Sequence, residues 1–145
     1  FIRALTISRD TIDSSDSSYE NLRRLNQISL IAYQQRRKIA KEIWEKAGKP
    51  HSPYHIWLDL PPDPPIGEAD RTYIRTSSGK PRKLSDLFPI HYWAQLYTRH
   101  KWRGHVFCPV DCQQKVYEAT KEVLYSHFKI SFRKSAGEAS HVSNP

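Results

Sequence analysis

A chain of 145 residues with 38% hydrophobic residues and a mean hydropathy of −0.71 has room for one ordinary domain, with or without a tail. No apolar run approaches the roughly 18 residues of a membrane span, and two cysteines exclude a disulfide framework. Twenty-three Lys and Arg against fifteen Asp and Glu give +8, which excludes an acidic disordered segment and points to acidic partners. The aromatic share is high: 4 Trp, 8 Tyr and 5 Phe can carry a core that has few aliphatic residues. The sparse cysteine points to an intracellular reducing compartment: nucleus, cytoplasm or organelle matrix. No Met is present, which suggests a start downstream of the initiator, and Arg3 and Arg9 interrupt any apolar signal-peptide core.

In chain order, residues 1–9 alternate loosely as an edge strand. Asp10–Ser18 is a polar linker ending in a capping box of Ser17 and Glu20. Leu22, Leu25, Ile28, Ala32, Ile39 and Ile43 form one apolar face of a very long helix over 19–47, about 43 Å, which Gly48 and Pro50 stop. His55–Leu60 reads as a short strand, and Pro61-Pro62-Asp63-Pro64-Pro65 as an extended arm whose rigidity suits it to cover a surface. Arg71–Thr76 and Pro81–Leu84 alternate about a Ser-Ser-Gly-Lys turn. Ser85 or Asp86 caps a second helix to about Lys101, with Leu87, Ile90, Trp93, Ala94 and Tyr97 inward. His105–Phe107 is a strand or link. Pro109 and Asp111 open a third helix with a Val116, Ala119 or Thr120, Val123 stripe, and Phe128–Phe132 is a last strand. The expected architecture is α+β: three helices around a small antiparallel sheet. Residues 1–18 would be strand and linker, 19–134 a single domain and 135–145 a tail.

The charge is uneven. Residues 19–48 hold seven basic and three acidic groups, and residues 71–105 hold eight and one. In the second stretch Arg71, Arg75, Lys80, Arg82, Lys83, Arg99, Lys101 and Arg103 interleave with Tyr73, Tyr92, Trp93, Tyr97 and Trp102. Cations displace counterions from phosphates and rings stack on unpaired bases, so the combination suits nucleic acid, with RNA or single strands favoured. Tyr73 and Trp102 are the rings least explained by burial. Arg36, Arg37, Lys38 and Lys41 on the first helix would track a phosphate backbone. A solvated basic surface over an aromatic core is the plain alternative. No RNP, KH, zinc-finger or helix-turn-helix pattern is present.

His100, His105, Cys108 and Cys112 run as H-x4-H-x2-C-x3-C, donors suited to a structural zinc, although the spacing matches no standard knuckle. His51 and His55 are substitute ligands. With Asp59 and Asp63 they are also the material of a hydrolytic metal site. No Walker loop or C-x-x-C pair is present. The expected function is therefore non-catalytic nucleic-acid binding, as a basic component of a larger assembly. A protein–protein adaptor docking through the long helix and proline arm stands second, and a metal-dependent hydrolase third.

Overall fold

The structure is a computed structural model and describes residues 1–13, 15–63, 67–77 and 79–133. It is mixed α and β with small antiparallel sheets, the class expected. The chain forms two compact units: a terminal unit of Phe1–Pro62 with the chain from Arg103 onward, and an inserted unit of Asp63–Trp102.

The terminal unit is built on a three-stranded antiparallel sheet. Strand β5 (Gly104–Cys108) lies between β1 (Ile2–Ile7) and β2 (Trp57–Asp59). The register shifts between Arg3 and Leu5 of β1, and the carbonyl freed beside this bulge accepts a hydrogen bond from Gln113 Nε2 at 2.9 Å. One face of the sheet, with Leu5, Leu58 and Val106, is buried. Helices α2 (Leu30–Lys46) and α6 (Gln113–Phe128) pack on each other and on the sheet. Ile43 of α2 and the Val116, Ala119, Thr120 and Val123 stripe of α6 are buried, as the helical spacing predicts.

The single long helix expected over 19–47 is instead two. Helix α1 (Asp16–Arg23) is capped by Ser15, whose hydroxyl accepts from Ser18 N–H at 3.3 Å. The expected Ser17–Glu20 box is absent because the helix starts two residues earlier, which puts Ser17 inside its first turn, and Glu20 pairs with Arg23 at 2.6 Å. A 3-10 turn at Arg24–Asn26 follows, Gln27 is extended, and Ser29 caps α2 by accepting from Ala32 N–H at 3.1 Å. Ser29 offers the backbone a cap where the helix would have continued. Arg36 Nη1 donates to the carbonyls of Leu25 and Gln27, which satisfies groups that the break leaves without helical partners. Ile28, expected on the apolar face, is 92% exposed at the break. The surviving α2 spans about 26 Å.

At the other end α6 runs through Phe128 and stops at Lys129, which is left-handed with φ 57°. The strand expected over 128–132 therefore shrinks to one bridge, Ile12 to Phe132.

The inserted unit contains α3 (Gly67–Arg71), a hairpin of β3 (Tyr73–Arg75) and β4 (Pro81–Lys83), α4 (Leu84–Leu87) and α5 (Ile90–Lys101). The hairpin appears where alternation predicts it, but it is a separate sheet. The second helix is divided at Phe88-Pro89, and the Pro89 carbonyl accepts from Trp93 N–H to start α5. Of the inward face expected on this helix, Ala94 is buried, while Trp93 and Tyr97 are exposed. Among the described residues only Ala94 and Trp102 are buried in this unit. Pro64 and Pro65 of the proline arm and residues 135–145 lie outside the described residues.

Candidate nucleic-acid interface

The hairpin alternation sorts its side chains by face. Tyr73 pairs with Lys83 and Arg75 with Pro81, so Tyr73, Arg75 and Lys83 share one face, and Ile74 and Arg82 share the other. Tyr73 is 60% exposed, and Arg75, Arg82, Lys83 and Lys80 are exposed as well. None of these four cations has an ion pair among the described residues. The local sequence explains the geometry: Gly79 takes φ 76° in the turn, and Thr76 Oγ1 donates to the Lys80 carbonyl at 3.0 Å. A ring flanked by two uncommitted cations on a flat face can stack on a base and meet the phosphates beside it.

The other candidates in this stretch divide. Arg71 and Lys101 are exposed at the ends of α3 and α5, and Arg103 is exposed before β5. The Arg99 side chain lies outside the described residues. Trp102 is 3% exposed, which removes it as a stacking ring: it belongs to the core. Tyr92, Trp93 and Tyr97 of α5 are exposed, with Phe88 and Leu96.

On α2 the four cations serve different ends. Arg36 holds the backbone of the preceding turn. Arg37 lies over the Tyr54 ring with its guanidinium 4.9 Å from the centroid. Lys41 pairs with Glu45 at 3.8 Å, and Lys38 is exposed. Tyr33, Arg36, Arg37 and Ala40 fall on one helical stripe, and that stripe forms one wall of a cleft of about 940 Å³. The opposite wall is the edge strand β2 and the outward sheet face, with Trp57 and Phe107, and Tyr54 also lines the cleft. Phe1 lines the cleft as well, and apart from the arginines these residues escape sequence reading because they come from four separate stretches. The one local signal is the alternation that puts Trp57 and Asp59 on the same strand face.

The zinc candidates are not brought together. His105 and Cys108 are three apart on β5 and so face opposite sides of the sheet. His105 Nδ1 lies 3.4 Å from Thr6 Oγ1 on the outward face, and Cys108 is in the core against Cys112. His100 is in the inserted unit. Burial, and then the Cys112 thiol, push the Cys108 pKa up to about 12, so it remains a protonated thiol. Cys112 Sγ donates to the Pro109 carbonyl at 3.3 Å. His51 pairs with Asp111 at 2.7 Å, which holds that carboxyl below its usual range. Among the described residues no three His, Cys, Asp or Glu side chains are grouped to hold a metal, so neither zinc nor the His51, His55, Asp59, Asp63 hydrolytic set has a frame there. No helix among them is long and apolar enough to cross a membrane.

No family model, curated protein or solved structure matches the chain.

Proposed function

We propose that this protein is a non-catalytic nucleic-acid-binding protein, acting on RNA or single strands as a basic component of a larger assembly. The observation that carries the reading is the hairpin face, where exposed Tyr73 lies beside Arg75 and Lys83, and among the described residues no carboxylate pairs with either cation. Such a face offers stacking and counterion release together, at little cost in desolvation.

The test is a titration of labelled single-stranded and duplex RNA and DNA across a range of salt. Replacing Arg75 and Lys83 with Gln should flatten the log–log salt slope by about 0.7–0.9 for each phosphate no longer neutralised, and should weaken binding similarly across sequences. Tyr73→Leu should weaken single-strand binding at every salt concentration. Absence of binding to all four nucleic acids near physiological salt would defeat the reading.

A second reading, a protein adaptor, is favoured by one different feature. Phe88, Tyr92, Trp93, Leu96 and Tyr97 are exposed on or beside a single helix, and exposed apolar groups in such number suit a protein contact. Tight, salt-insensitive capture of a protein that Trp93→Ala abolishes would establish it.

A further inference from the structure

The cleft of the terminal unit carries chemistry that the hairpin lacks. Trp57 and Asp59 are two apart on β2 and project from the same outward face, and Phe107 of β5 lies directly opposite Trp57. Trp57 is 58% exposed and Tyr33 54%, and neither ring meets another ring among the described residues. Flat apolar faces are thus presented to solvent unstacked. Beside them the exposed Asp59 carboxylate makes no hydrogen bond or ion pair among the described residues. His105, the residue opposite it, is held below its usual pKa by burial and then by Arg3, and so does not neutralise it near pH 7. On the facing wall Arg37 is the cation, with Lys41 one helical turn further on.

These features define a ligand: planar and aromatic, with hydrogen-bond donors along one edge and negative charge elsewhere. An ionised carboxylate only accepts, through two oxygens side by side. Of the common bases, guanine alone offers it two adjacent donors, N1–H and the 2-amino group. Adenine and cytosine each offer an amino group beside an acceptor, and uracil an N–H between two carbonyls. We propose that this cleft takes an unpaired guanine, stacked on Trp57, with its donor edge on Asp59 and its phosphate toward Arg37. The proposal takes its ligand class from the nucleic-acid reading but uses residues of the other unit, so the two can fail separately.

The experiment titrates GMP, IMP and AMP into the full chain, read by calorimetry and tryptophan fluorescence. IMP is GMP without the 2-amino group. GMP should bind about tenfold or more tighter than IMP, the discrimination ordinary for a paired hydrogen bond to a base. Asp59→Asn should erase that preference, while Arg37→Gln should weaken all three nucleotides alike and leave the order unchanged. The ratio of GMP to IMP in the unsubstituted protein decides the matter even if a variant fails to fold. Equal affinity for GMP and IMP, or no binding of any nucleotide at millimolar concentration, overturns the proposal, and so does a preference that survives Asp59→Asn. Salt-sensitive RNA binding without guanine preference would remove the cleft proposal alone, and guanine preference without any RNA binding would remove the hairpin reading alone.

Discussion

His105 shows how one residue's position fixes its chemistry. It sits on the central strand with Thr6 on one side and Asp59 on the other, and burial, with Arg3 nearby, favours its neutral form. A histidine whose folded pKa lies below its unfolded value near 6.5 supports the fold above that value and withdraws the support as pH falls through the folded pKa. Stability should therefore drop on acidification from about pH 6.5 downward, and His105→Gln should flatten that limb in denaturant titrations at several pH values. An unchanged pH profile in the variant would contradict this. The residue type and its strand were legible in the sequence, but the partners were not. The spacing to Cys108 suggested shared ligation, whereas a strand places residues three apart on opposite faces. Trp102 misled in a similar way: its sequence neighbours are cations, and its burial is tertiary.

At the level of elements, the break between α1 and α2 is set by one hydroxyl. Ser29→Ala removes the acceptor of Ala32 N–H and should cost about 1 kcal/mol, measurable by chemical denaturation. A neutral result would mean that Arg36, bridging Leu25 and Gln27, holds the break unaided. Helical periodicity survived such a break undetected, because Leu22, Leu25, Ala32, Ile39 and Ile43 are buried on either side of it, and only Ile28 departs from the face. By contrast the α6 stripe was legible residue by residue, since nothing interrupts it. The β3–β4 hairpin was legible too, because its alternation and its turn lie within one short stretch. The cleft was not: Tyr33, Tyr54, Trp57 and Phe107 are gathered only by strand pairing and by α2 lying beside β2.

Across the whole molecule, burial is very unequal. The terminal unit contains Leu5, Ile7, Ile12, Leu22, Ile43, Ile56, Leu124 and Ile130 fully buried, whereas the inserted unit buries only Ala94 and Trp102 among the described residues. Opening a segment costs little where little apolar surface is returned to water. Amide hydrogen exchange should therefore be fast throughout β3, β4 and α5 and slow in β5 and α6, with binding at the hairpin slowing the former. Equal protection in both units would show that the inserted unit is held by more than its own burial.

The order of the sheet also bears on how the chain is made. Its central strand is the last of the three to be synthesised: Ile2 must wait for Cys108 and Trp57 for Phe107. At about 5–20 residues per second, the first strand spends roughly 5–20 s without a pairing partner while the ribosome moves on. Until Gly104–Cys108 emerges, the apolar sides of β1 and β2 have no sheet to join. The terminal unit is thus obliged to fold after, rather than during, most of its own translation, and the chain inserted between Pro62 and Arg103 lengthens that wait.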